Sequence, residues 1–162
     1  RGLGDVYKRQ DYIIDTTSLS PSQLRGRIVT IFEGETTPML ISCQSFGFRN
    51  GLPQDADLVF DVRCLPNPYY VPELKEHDGT EGPVRDYVMN APESHEMLQK
   101  LEELLAFSIP LYQREGKSQL VVAVGCTGGR HRSVAIACQL AAYLRSLGYR
   151  VELSHRDKDN RR

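Results

Sequence analysis

Apolar positions along this chain recur with two different periods. From about residue 27, "RIVTIFEG" and "MLISCQSFGF" are β-branched runs separated by a Gly/Thr/Pro turn region, which predicts an antiparallel edge hairpin. "ADLVFDVRCL" predicts another buried strand, ending at Asp61 and Arg63. Met97, Leu98, Leu101, Leu104, Leu105 and Tyr112 then follow helical spacing. Asn90-Ala-Pro-Glu93 before them has the form of a capping box, and Pro110 should kink or end the helix. Gln119-Leu-Val-Val-Ala-Val-Gly125 is short, continuous and β-branched, as a fully buried strand is. Val134, Cys138, Ala141 and Leu144 return to helical spacing, and "YRVELSHRD" reads as a last strand. This order predicts an α/β domain: a mostly parallel sheet with right-handed crossovers, flanking helices and an antiparallel edge hairpin.

Upstream of residue 27 the pattern changes. Residues 1–10, "RGLGDVYKRQ", resemble translated adapter sequence and are set aside from fold reasoning. Residues 11–26 hold a short apolar run and a helix start at Ser20-Pro21, and read as the tail of a preceding domain. The domain proper is therefore placed at 27–162. "PNPYYVPELKEHDGTEGP" is a Pro/Gly-rich loop too long for mere connection, and such loops are more often functional than idle.

Composition narrows the classes. With 162 residues, 40% hydrophobic and 25% charged, the chain has the makings of an ordinary globular domain with a real core. A net charge of −1 means that any nucleic-acid contact must use a local patch. The four cysteines (Cys43, Cys64, Cys126, Cys138) lack CxxC spacing, predict no metal site, and fit a reduced, cytoplasmic setting. No apolar stretch approaches the length of a membrane span.

Chemistry concentrates in "VGCTGGRHRSV", residues 124–134, where a strand hands over to a helix. The first turn of a helix offers unpaired N–H groups and partial positive charge. Gly128 and Gly129 let the backbone approach a ligand closely, Thr127 and Ser133 add hydroxyls, and Arg132 adds a planar fork. A phosphate is the natural guest. The plainer reading is a glycine turn capping a helix, with Cys126 a small buried residue. Ligands of parallel sheets collect outside the carboxyl ends of the strands. That rule predicts that Arg63, Arg132 and Arg156 face one shallow basin, although each alone reads as a surface ion-pair residue.

Two mechanisms compete for such a pocket. One is recognition of a phosphorylated metabolite without chemistry. The other is a cysteine-dependent phosphatase, since Cys126-x5-Arg132 matches that loop and a cysteine at a helix N-terminus is a suitable nucleophile. That class has a histidine immediately before the cysteine, where this chain has Gly125. Asp78 and Asp86 are the only candidate general acids that the sequence suggests.

Three long motifs, "SFGFRNGLPQDADLVFDVRCLPNPYY", "VAVGCTGGRHRSV" and "SHRD", together resemble the C-terminal domain of the RapZ/YvcJ family. "DTTSLSPSQLR" resembles the close of that family's N-terminal P-loop domain. The resemblance implies a bacterial cytoplasmic protein whose absent N-terminal half binds ATP or GTP. It implies no cofactor and no enzymatic activity for this half, whose fold would be like the sugar-phosphate-binding part of phosphofructokinases. It also implies a homo-oligomer and no membrane partner. In enteric bacteria the family member is an RNase adaptor that binds small RNAs controlling glucosamine-6-phosphate synthase and senses glucosamine-6-phosphate. By this similarity Cys126, Thr127, Gly128, Gly129, His131, Arg132, Arg63 and Asn67 take the phosphate-sensing role, with Ser133 beside them. Tyr69 stands where the enteric form has histidine; a tyrosine donates one hydrogen bond but cannot become cationic, so the identity of the sugar stays open. The chain lacks G-x4-G-K-[ST], so the family's nucleotide site is not in it.

For RNA, the tail carries Arg156, Lys158, Arg161 and Arg162 against two aspartates. With Arg130, Arg145 and Arg150 these are expected to form a basic strip. No aromatics are interleaved with them, which predicts shape recognition over base stacking.

Overall fold

The computed structural model describes residues 14–33 and 38–160. The adapter-like segment and Arg161 and Arg162 lie outside the described residues. In chain order the elements are α1 (Pro21–Glu33), β1 (Leu40–Gly47), a 3-10 turn (Phe48–Asn50), β2 (Leu58–Asp61) and a second 3-10 turn (Pro68–Tyr70). Then come α2 (Gly82–Met89), α3 (Pro92–Arg114), β3 (Gln119–Cys126), α4 (Arg132–Ser146) and β4 (Arg150–His155).

The sheet has four strands in the order β2-β3-β1-β4, and every pairing is parallel. The expected antiparallel hairpin is absent from it. β1 is paired along both edges, by β3 and by β4, so no edge remains for a neighbour from "RIVTIFEG". That run belongs instead to α1, which crosses the boundary expected at residues 26 and 27. Its start carries a true capping box: Gln23 N–H donates to Ser20 Oγ at 3.3 Å, and Ser20 N–H donates to Gln23 Oε1 at 2.9 Å. Reciprocal bonds of this kind, with Pro21 at the first helical position, start a helix despite the β-branched residues that follow.

The helical layer packs on the sheet face that presents Ile41, Cys43, Leu120, Val122 and Val124. Leu101, Leu105 and Ile109 of α3 and Ile136, Leu140 and Leu144 of α4 interlock with them. Each such side chain, fully buried, is worth about 1.5–3 kcal/mol. This packing carries α3 past Pro110 to Arg114, so the proline does not end the helix. Leu104 has helical spacing but points outward with Phe107 and Leu111. Asn90 is not an N-cap; it closes α2, its N–H on the Asp86 carbonyl, and Ala91 starts α3 without a side-chain cap. Among the described residues no helix is long and apolar enough to cross a membrane.

Candidate functional site

Strands β1 and β3 end side by side, with Gly47 opposite Cys126. From there the chain leaves β1 toward β2 at one edge, and leaves β3 through α4 toward β4 at the other. Connections that diverge from adjacent strands leave a crevice at the carboxyl ends. A cleft of about 1190 Å³ occupies that place.

Its floor is the segment after β3: Cys126, Thr127, Gly128, Arg130, His131 and Arg132. Arg49 and Asn50 of the first 3-10 turn form one wall, and Asn67, Tyr69, Tyr70, Lys75 and Glu76 form another. Asp159 and Asn160 reach the rim. Of the residues singled out in the sequence, Gly129, Ser133, Arg63 and Arg156 do not line the cleft, so the three-arginine basin does not form.

Each of these four has a supporting place instead. Gly129 lies beneath the floor with φ +77°, and a Cβ there would sit 2.5 Å from Gly47 N. Only glycine satisfies both that dihedral and that approach. Ser133 is fully buried, its hydroxyl 3.1 Å from Cys126 Sγ. Arg63 turns away to Asp61, at 2.7 Å, and stacks over Phe48 at 4.0 Å. The Arg63 guanidinium holds the Asp61 carboxyl below the usual carboxylate range.

Arg132 is the buried cation of the floor, with only 5% of its surface exposed. Its Nη1 donates to the carbonyls of Arg63 and of Leu65 (3.2 Å), and its Nη2 donates to Thr127 Oγ1 at 3.3 Å. The Nε has no partner. Two of the guanidinium's donors therefore lock the turn after β2, while the rest of the group faces the loop. Arg130 donates to the carbonyls of Glu76 and His77 (3.2 Å), and the His131 ring Nε2 donates to that of Lys75 at 3.1 Å. The floor thus pins the 75–77 wall. Burial is the main force lowering the His131 pKa below the ordinary 6.5; carbonyl bonds to Lys75 and His77 oppose it, and Arg130 and Arg132 add to it. His131 is accordingly neutral at neutral pH and acts as a strut, not as a charge.

Sequence reasoning missed Asp157, which holds the other side. Its carboxylate accepts from Gly47 N–H at 2.7 Å, from Arg156 Nη2 at 2.8 Å and from Asn160 Nδ2 at 3.1 Å. Burial pushes its pKa up, but the Arg156 guanidinium, Gly47 and Asn50 outweigh that and hold the carboxyl below 3.8. Arg156 also donates to the Gly51 carbonyl at 2.7 Å. Of the expected basic strip, Lys158 is 3.5 Å from Asp78, and Arg145 donates to the Val151 carbonyl at the amino end of β4. Arg130, Arg156 and Lys158 lie at the opposite, carboxyl end, so the strip is divided by the length of a strand. The signal for Asp157 was present in "SHRD", but the Gly47 N–H that it holds is 110 residues away in sequence.

Neither proposed general acid lines the cleft. Asp78 is bonded to Thr80 and Lys158, and Asp86 is on the exterior of α2 beside Arg85. Among the described residues no group of three or more His, Cys, Asp or Glu side chains could hold a metal ion. Fold and site together define an α/β domain with a glycine loop and a buried arginine at the switch point of a parallel sheet. The family model for the RapZ C-terminal domain matches residues 39–159, and the chain belongs to that family. It is 52% identical over 159 residues to a nucleotide-binding protein of Alkaliphilus oremlandii, covering 97% of this chain and 55% of that one. A nucleotide-binding protein of Caldicellulosiruptor saccharolyticus is 50% identical over 157 residues, covering 96% and 54%. One of Bacillus cytotoxicus is 48% identical over 161 residues, covering 99% and 55%. The chain spans about half the length of these curated relatives. None of these matches supports a phosphatase.

Proposed function

We propose that this domain is a regulatory binding module that takes a phosphorylated small molecule in the cleft, with the phosphate on the 127–128 backbone beside Arg132. The observation that carries this reading is Arg132: a buried guanidinium with an unpartnered Nε, lining a cleft at a glycine loop. A buried cationic donor without a partner is costly unless an anion completes its shell. The sensing role implied by family resemblance accords with this chemistry.

Gly128 supplies the test. A Cβ on Gly128 meets nothing within 4 Å, and the residue lines the cleft. Gly128→Leu is therefore expected to fold with wild-type stability while filling the phosphate position. Phosphate or a hexose 6-phosphate should raise the thermal midpoint of wild type, as any ligand of the native state does, and should leave Gly128→Leu unmoved. Equal stabilisation of both proteins would overturn the reading.

RNA contact, which the resemblance implies, we assign to the carboxyl edge alone, where Arg130, Arg156 and Lys158 lie. Arg145→Ala is expected to leave retention of a structured RNA unchanged in a low-salt gel-shift titration; a weakened shift would overturn that assignment.

A further inference from the structure

The phosphate loop accounts for only part of the cleft. Small-molecule sites run to roughly 300–1,000 Å³, and this one is about 1190 Å³. Its far wall is aromatic. Pro68 is buried and anchors the 3-10 turn, and Asn67 Oδ1 accepts from Tyr69 N–H at 3.2 Å. The turn holds Tyr69 and Tyr70 edge to face, centroids 5.7 Å apart, with 51% and 80% of their surfaces exposed. Lys75 Nζ covers Tyr69 at 4.7 Å from the ring centre. Tyr70 lines the cleft with most of its ring exposed.

Charge points the same way. Arg49, Lys75, Arg130 and Arg132 line the cleft against Glu76 and Asp159, so cations exceed anions by two. A monoester phosphate, at about −1.5 to −2, balances that surplus, and four cations spread along the cleft also give a longer run of linked phosphates more than one contact. A ligand with linked phosphates at one end and a flat aromatic ring at the other matches the loop, the cations and the tyrosine together. The resemblance placed Tyr69 at the pocket; the fold brings Tyr70 there with it from the long loop.

We propose that the cleft binds a nucleoside diphosphate or a diphosphate-linked derivative of one, its phosphates on the 127–128 loop and its base stacked on Tyr70. This rests on the phosphate reading above and adds the class of ligand. Stacking on an aromatic side chain tolerates any base, because every base has a π-face.

Calorimetric titration of the 162-residue chain with inorganic phosphate, a hexose 6-phosphate, UDP and ADP tests it. At least one nucleotide is expected to bind about tenfold or more tighter than the phosphate and the hexose phosphate. Tyr70→Ala, an exposed position, should weaken that nucleotide about tenfold and leave inorganic phosphate unchanged. If phosphate binds but Tyr70→Ala leaves nucleotide affinity untouched, or no nucleotide exceeds phosphate, the inference fails and the phosphate reading stands. If no phosphate compound binds, both fall. Binding of a single-stranded oligonucleotide with none of either mononucleotide would overturn the inference in favour of nucleic acid.

Discussion

Alanine at Gly47 is expected to destabilise the domain by about 3 kcal/mol or more and to abolish phosphate-induced stabilisation. Gly47 has ordinary extended dihedrals (φ −107°, ψ 125°), so backbone strain is not the reason. The reason is contact. A Cβ there would lie 2.5 Å from the Gly128 carbonyl carbon, 2.7 Å from its oxygen and 2.8 Å from Gly129 N. All three are backbone atoms of the loop, with no flexible side chain that could swing aside. Relief would require β1 and the loop to separate, and that movement would pull Gly47 N–H from Asp157. Urea denaturation, with the midpoint compared against wild type and Gly128→Leu, measures the loss. A Gly47→Ala protein as stable as wild type would show that the two backbones do not touch.

Removing the Asp157 carboxylate is the second large effect. Asp157→Ala should cost about 3 kcal/mol, because it strands a buried N–H at Gly47 and leaves Arg156 without its anion. Arg156 retains 28% side-chain exposure, so its charge is partly recovered by water, which keeps the expected cost at the lower end for a buried pair. The same carboxylate gives a pH signature. Its folded pKa lies below the ordinary 3.8, so protons bind the unfolded chain first as pH falls. The stabilisation it supplies is complete above about pH 4 and is lost as the pH drops through the folded value. In wild type this appears as a steepening loss of stability in that acid range. Asp157→Ala should lack that component of the slope. Urea midpoints from about pH 2 to pH 6 for both proteins decide it, and parallel curves would refute the clamp.

How much of this was legible beforehand depended on how far apart the interacting residues stand in sequence. The β3–loop–α4 corner was legible because strand, glycines and amphipathic helix are contiguous, and the floor of the cleft followed from it. Parallel order followed from the alternation of strands and helices. The helix at 21–33 was legible at its Ser20-Pro21 start but not in its extent, because the β-branched "RIVTIFE" reads as strand. Eight-residue α2 begins on Gly82-Pro83 inside what looked like loop, with too few turns to show a period. Arg49 and Lys75 belong to no motif; the fold makes them walls by ending β1 at the Phe48–Asn50 turn and returning the 67–76 loop to the cleft. Arg63 and Arg156 were read as ligand arginines, yet each has a closer carboxylate within two residues, which the fold uses.

The sheet order also governs when the cleft can exist. β1 is the first strand of this sheet in chain order, yet both its neighbours are encoded later: Ser42 bonds Gln119, 77 residues on, and Ser45 meets His155, 110 residues on. A nascent chain stopped before residue 119 holds β1 with two unpaired edges, and one stopped before 157 lacks the carboxylate that closes Gly47 onto the loop. Contacts of such span are slow to form, and the unpaired edges invite association with other chains in the interval. Closure of the cleft is thus a late step in the making of this domain, reached only after residues 150–157 have left the ribosome.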